Sequence, residues 1–215
     1  MRVFVSGSAS GIGLAIAERF LKEGAEVWGF DIAESPVRHP NYHHVIHDVR
    51  GEGLPELPEP GIVISSAGTI EEADAIDVNL KGNIRFVERF LESAALRSVL
   101  FIASASARNG AEFPLYVASK AGLVGYMKNL ALRLAKRGVT CNSISPGGVI
   151  TPMNRHILEN PRLYEAVKAE TLLGKWAEPE EIAELAWYLT ALNRSITGED
   201  ILIDNGEMLK SNFIW

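Results

Sequence analysis

In the pentapeptide YVASK a phenol, Tyr116, stands four residues ahead of an ammonium, Lys120. On a helix these two side chains share a face, one turn apart. A cation beside a phenol favours the phenolate. A group that ordinarily loses its proton near pH 10 could then trade protons closer to neutrality. The pair is therefore a candidate general acid–base. A second signal is SGSASGIG, which gathers Gly7, Gly11 and Gly13 into one turn. Glycine lets a chain turn tightly and approach a ligand closely. A helix starting there would turn unpaired N–H groups and a positive dipole end toward a pyrophosphate. The spacing is not G-x-G-x-x-G. Nor is it a P-loop, because Leu14 and Ala15 follow Gly13 in place of Lys and Ser/Thr. A third signal is Asp31. An acid at the end of a second strand can accept hydrogen bonds from the ribose hydroxyls of NAD, and it repels the 2′-phosphate of NADP. No Arg or Lys stands in the glycine turn or just after Asp31 to receive that phosphate.

These groups need elements to carry them. RVFVS is a short apolar run closed by glycine and reads as a buried strand. Ile12, Ile16 and Phe20 recur at helical spacing, and Gly24 fits a helix stop. AEVWGF, HHVIHDV, GIVISSAG, SVLFIAS, VTCNSIS and DILID read as further strands. AIDVNLKGNIRFVERFLESA predicts a helix with Ile76, Leu80, Ile84, Val87 and Leu91 on one face. Tyr116 to about Arg137 predicts another, and PEEIAELAWYLTAL a third with Pro in its first turn. Apolar strands alternating with helices predict an α/β fold: a doubly wound parallel sheet with helices on both faces. Ligands in such a sheet lie beyond the carboxyl ends of the strands. The polar clusters at Gly7–Gly13, Asp31, Asp48, Ser65–Gly68, Ser104–Ser106 and Pro146–Thr151 all fall on that edge.

The bulk composition agrees. The chain has 215 residues, 47% hydrophobic, which suits one domain spanning 1–215. A net charge of −6 argues against a nucleic-acid partner. No apolar run is long enough to cross a bilayer. The single Cys141 cannot form an internal disulfide, so a cytoplasmic setting is expected. His39, His43, His44 and His47 invite a metal reading. Pro40 and strand-like alternation scatter them, so no metal is expected.

Together, SGSASGIG, YVASK, SPGGVITPM and ITGEDILIDNG resemble the short-chain dehydrogenase/reductase family from Arg2 to about Gly206. The resemblance implies a Rossmann fold and a reaction that moves hydride between NAD(H) and a secondary alcohol or ketone. Tyr116 would be the general acid–base and Lys120 would hold the nicotinamide ribose. A serine would bind the substrate oxygen: Ser104, with Ser106 as rival. Asn79, with Asn83 as rival, would hold a water in a proton relay to the lysine. Gly7, Ser10, Gly11, Ile12 and Gly13 would cradle the pyrophosphate. Asp48 and Val49 would meet the adenine, and Ala67 and Gly68 would wall its ribose. Pro146, Gly147, Val149 and Thr151 would pack on the nicotinamide. The family often forms tetramers through the Asn79 and Tyr116 helices, so a homo-oligomer, tetramer or dimer, is expected. Two alternatives stand beside a small-molecule dehydrogenase: a 3-oxoacyl-thioester reductase, and a non-catalytic NAD-binding sensor or scaffold. The intact Tyr–Lys pair speaks against the sensor.

Departures from the family are informative. Ser65-Ser66-Ala67-Gly68 replaces the usual Asn-Asn-Ala-Gly, which puts some strand-to-strand bracing in question. The third crossover has three prolines in GEGLPELPEPG and no room for a helix, which predicts an extended, tightly packed loop. Residues from about 153 to 176 are expected to form a substrate lid, with Leu163, Tyr164, Leu172, Leu173 and Trp176 setting its polarity. The apolar Phe213-Ile214-Trp215 end is expected to make a subunit contact.

Overall fold

The structure is a computed structural model that describes residues 1–210. The expectation for Phe213-Ile214-Trp215 lies outside the described residues. Seven strands form one sheet: β1 (Arg2–Ser6), β2 (Glu26–Asp31), β3 (Tyr42–Ile46), β4 (Ile62–Ser65), β5 (Ser98–Ile102), β6 (Thr140–Pro146) and β7 (Asp200–Ile203). Their order is β3-β2-β1-β4-β5-β6-β7, and every pairing is parallel. This is the expected doubly wound Rossmann arrangement. Val3 lies between Val27 and Ile62 in the register. The chain therefore winds outward in both directions from β1 and β4, which leaves a crevice at their carboxyl ends. Val3, Phe4, Val5, Ile62, Val63 and Ile64 are fully buried, because helices cover both faces of the central strands.

The helices follow in chain order. α1 (Gly11–Lys22) packs beside α8 (Pro179–Trp187) on one face, where Ile16, Phe20, Ile182 and Ala186 are buried. α8 starts on a capping box between Glu178 and Glu181, with Pro179 at its first position. On the other face, α2 (Glu72–Ala75), a π-helical stretch (Ile76–Gly82) and α3 (Asn83–Glu88) run on without a break. They pack against α5 (Pro114–Leu134) over Phe86, Val87, Leu123, Met127 and Leu130. The short α4 (Ser106–Asn109) precedes α5. α6 (Arg155–Leu158) and α7 (Pro161–Ala169) lie between β6 and α8.

The structure corrects the predicted face of the middle helix. Its buried side is Ala75, Asn79, Gly82, Asn83, Phe86 and Val87, whereas Ile76, Leu80 and Ile84 are half-buried. The i→i+5 bonding of the π-helical stretch turns the face away from the 3.6-residue line that the apolar residues suggest. The helix also ends at Glu88, short of the expected Ala94.

Two crossovers lack helices. Residues 47–61 run extended between β3 and β4, as the prolines predict, and so do residues 32–41 between β2 and β3. The 47–61 loop is less tightly packed than expected. Leu54 and Leu57 are half-buried, while Arg50–Gly53 are exposed. Arg85 and Arg89 pin the loop by donating to the Arg50 and Gly51 carbonyls.

Candidate active site

The site is built where β1, β4, β5 and β6 end. Gly7 sits at φ +68, and a Cβ there would lie 2.8 Å from the Ala67 Cα. At Gly13 a Cβ would lie 2.0 Å from the Gly7 carbonyl oxygen. The turn and the first turn of α1 therefore pack too closely for side chains. α1 begins at Gly11, directly after Ser10, with no side-chain cap and no acid in its first turn. Its N–H groups face the crevice, which fits a pyrophosphate. Ser8 Oγ lies 3.1 Å from Tyr42 Oη, which holds the turn against β3.

Asp31 ends β2. Its carboxylate accepts from the Ala9 N–H at 2.9 Å and the Ala33 N–H at 3.0 Å. It links the glycine turn to the second strand, with lone pairs left for hydroxyl donors. Asp48 is engaged by the Arg50 guanidinium at 2.7 Å, and Arg50 also pairs with Asp74. These hydrogen bonds and charges hold the Asp48 carboxyl below its usual range. Neighbouring Val49 is buried against Gly82.

Tyr116 and Lys120 lie on α5, as the spacing predicts. Both line one cavity of about 320 Å³ together with Ser104, Ser106, Gly68, Ile12, Pro146, Gly147, Val149 and Thr151. Gly7, Gly11, Gly13, Ala67, Asp31, Asp48 and Val49 lie outside that cavity, along the carboxyl edge toward β2 and β3. Lys120 is buried, donates to the Ile102 carbonyl at 3.0 Å, and lies 5.7 Å from the centroid of the Tyr116 ring. A Cβ on Gly68 would lie 3.5 Å from Lys120 Nζ, so the strand end passes close to the ammonium.

The electrostatics differ from the simple expectation of a phenol lowered by its lysine. Tyr116 is pushed up to about 12, first by burial and then by the negative charge of Glu112. The Ser104 hydroxyl, within hydrogen-bonding reach of the phenol, pulls it back. Lys120 is pushed down to about 8 by burial, opposed by Glu112. In this state the protein stores the proton on the phenol. Burial raises the phenol and lowers the ammonium together, since both groups lose water on entering the same pocket.

Both serines belong to the site. Ser106 Oγ donates to Ser104 Oγ at 2.9 Å, so Ser104 faces the phenol and Ser106 orients Ser104. The two asparagines divide differently. Asn79 is fully buried; it accepts from the Thr69 N–H at 2.8 Å and donates to the Thr69 carbonyl and Ser119 Oγ. Asn83 accepts from Ser65 Oγ at 2.5 Å and donates to the Ala67 and Asn79 carbonyls. Ser6 Oγ accepts from the Ser66 and Ala67 N–H groups. Hydroxyls and Asn83 thus supply the bracing that the missing asparagine puts in question.

Residues 150–176 fold over the cavity. Met153, Asn154, Ile157, Val167, Glu170 and Trp176 line it. Of the five apolar lid residues singled out from sequence, only Trp176 does so. Leu172 and Leu173 are exposed, and Tyr164 packs edge-on against Trp176 at 5.9 Å. Gly148 makes room for that indole, since a Cβ there would lie 2.2 Å from the ring. Sequence reasoning also missed Glu112 and Glu207, which line the cavity from two different loops. No local pattern marks either one, because the fold alone brings them together. The histidines scatter as expected: His43 stacks on Trp28, His44 bonds near Ala33, and His47 is buried.

The sequence model of a family described as enoyl-(acyl carrier protein) reductase matches residues 66–207. A short chain dehydrogenase of Penicillium roqueforti is 30% identical, with 94% of this chain and 95% of that protein covered. Among solved structures, 4-hydroxyisoleucine dehydrogenase complexed with NADH is 26% identical, with a TM-score of 0.85 over 98% of this chain and 99% of that one. The ligand-free aldohexose dehydrogenase of Thermoplasma acidophilum has a TM-score of 0.88 at 24% identity, covering 100% of this chain and 96% of that one, and so shares the fold. The chain belongs to the short-chain dehydrogenase/reductase family and is an oxidoreductase by that membership.

Proposed function

We propose that the protein is an NAD(H)-dependent oxidoreductase that interconverts a secondary alcohol and a ketone. One observation carries this reading: Tyr116, Lys120 and Ser104 line a single cavity at the end of the glycine-turn crevice. Bound NAD supplies the hydride acceptor and, when oxidised, a positive ring. Gly7, Ser10, Gly11, Ile12 and Gly13 hold the pyrophosphate against α1. Pro146, Gly147, Val149 and Thr151 back the ring, and Lys120 holds its ribose. Ala67 and Gly68 border the adenosine ribose, and Asp48 and Val49 the adenine. Ser104 holds the substrate oxygen, and Tyr116 gives a proton to a ketone or takes one from an alcohol. Asn79 keeps the Thr69 turn and Ser119 in place beneath the pair. A phenol pushed up to about 12 carries its proton at neutral pH but is a weak acid, so reduction relies on the positive charge that develops on the nicotinamide as hydride leaves. In oxidation, the nicotinamide cation must bring it down. The lid excludes water from this chemistry.

Asp31 supports NAD over NADP, because a carboxylate at the end of β2 can accept from ribose hydroxyls and would repel a 2′-phosphate. A homo-oligomer is part of the reading, with the exposed Leu115 and Leu132 of α5 available for contact. So is a cytoplasmic setting, where the buried Cys141 stays a thiol. The test is a screen for NAD reduction across secondary alcohols, repeated with Tyr116→Phe. Dinucleotide binding should survive the substitution while turnover falls by roughly 10²–10⁴. Undiminished turnover would overturn the assignment.

A further inference from the structure

Glu112 and Glu207 stand out from the other acids near the cavity. Glu112 sits at φ +89, a left-handed conformation that costs a residue with a Cβ and tends to persist where it serves a site. It stands at the exposed lip between α4 and α5, within hydrogen-bonding reach of Ser106. Glu207 is half-buried beside the Gly147–Gly148 turn, with the Gly148 N–H within reach of its carboxylate. A Cβ on Gly147 would lie 3.0 Å from Glu207 Oε2, so the carboxylate lies directly on the turn that backs the nicotinamide site. The charge of Glu207 raises the Glu112 carboxyl, which places the two in one electrostatic field. Neither forms a salt bridge among the described residues.

Among the cations near the cavity, Arg108 pairs with Asp200, Lys168 with Glu165, Lys175 with Glu181, and Lys210 with Glu170. Lys120 lies on the cavity floor, where it donates to the neutral Ile102 carbonyl and its charge acts on Glu112. A substrate entering past the lid therefore meets two carboxylates whose acceptor capacity the protein leaves largely unused. Such acceptors reward hydroxyl or ammonium donors and repel a second anion. The remaining wall, with Ile157, Val167 and Trp176, is apolar and takes the carbon skeleton.

Resting on the alcohol–ketone reading above, we propose that Glu112 and Glu207 select the substrate: a small secondary alcohol, or its ketone, that carries further hydroxyl or ammonium groups. Hydroxy acids and anionic carrier thioesters are excluded by the same two carboxylates.

The test measures kcat/KM for NAD reduction with myo-inositol, 1-amino-2-propanol, 3-hydroxybutyrate and 3-hydroxybutyryl-coenzyme A. At least one of the first two should exceed both anions by roughly tenfold or more. Glu112→Gln should narrow that ratio mainly through KM, with NADH affinity unchanged, and Glu207→Gln should narrow it in the same direction. An anion matching or exceeding the donor-bearing alcohols overturns the inference. So does a ratio indifferent to both substitutions, or no oxidation of either donor-bearing alcohol. Failure of the underlying reading looks different: NADH would not bind, or turnover would survive Tyr116→Phe.

Discussion

The two ends of the sheet are built to different standards. Around β4, β5 and β6 the strands are buried on both faces, and α5 presses Leu123, Met127 and Leu130 into the core with none of their surface exposed. Around β2 and β3 the crossovers are bare loops, β3 is half-buried from Tyr42 to Val45, and its last residue, Ile46, is 56% exposed. The first region must hold a phenol, a serine and an ammonium in register, which demands rigid packing. On the proposed function, the second has only to receive the flat, distal end of a dinucleotide. Asp31 and the Arg50–Asp48–Asp74 cluster shape it with charge in place of a covering helix. The protein has been shortened where positioning matters least.

Several measurements can break or sharpen this contrast. Leu123→Ala should cost about 2–5 kcal/mol in urea denaturation, as expected for a large side chain deleted from a closed core. Leu57→Ala in the bare loop should cost about 1 kcal/mol or less, since half-buried sites lose little apolar area. Equal costs would mean that the loop is part of the core.

Lys120 should mark the catalytic end by a pH effect on the protein without dinucleotide. It loses its proton near pH 8 when folded, against an ordinary 10.5 when unfolded. Between those values the unfolded chain holds the proton that folded Lys120 has lost, so this group's own contribution to stability should rise with pH. Cys141, Tyr116 and Tyr126, all raised by burial, contribute in the opposite sense above about pH 9. The stability difference between the protein and Lys120→Met should therefore shift in the protein's favour as pH rises through the window. A difference that does not change with pH would show that the ammonium is not desolvated.

At the other end, Asp31→Asn should reduce the preference for NAD over NADP, read as the ratio of their dissociation constants. It should also loosen the glycine turn, because a carboxylate that accepts from both Ala9 and Ala33 is replaced. An unchanged ratio would remove Asp31 from cofactor choice. The smallest effect is kinetic. Amides of residues 47–61 should exchange hydrogen faster than those of β5 and α5, since few of them join regular ladders.

The legibility of the sequence follows the same divide. Tyr116, Lys120 and the glycine turn could be read because their chemistry depends on local spacing, which a helix or turn carries unaided. The proline-rich crossover could be read because proline excludes a helix outright. The middle helix was misjudged in its face because a π-helical stretch has no residue signature. Within the expected lid segment the lining differs from the expectation, since Leu172 and Leu173 are exposed while Met153, Ile157 and Val167 line the cavity. Glu112 and Glu207 come to one cavity only through the fold, since they stand 95 positions apart in the chain (207 − 112). The phenol's raised pKa was hidden for the same reason, because it depends on burial and on Glu112 more than on the lysine four residues away.

The most direct test of the central claim is a crystal structure of the NADH complex. The pyrophosphate should lie on Gly11–Gly13 at the start of α1. The nicotinamide should rest against Val149 and Thr151 with C4 turned toward the Tyr116 hydroxyl, and Lys120 should reach its ribose. A dinucleotide seated away from the glycine turn, or a ring facing away from Tyr116 with Lys120 still bonded only to Ile102, would contradict the account.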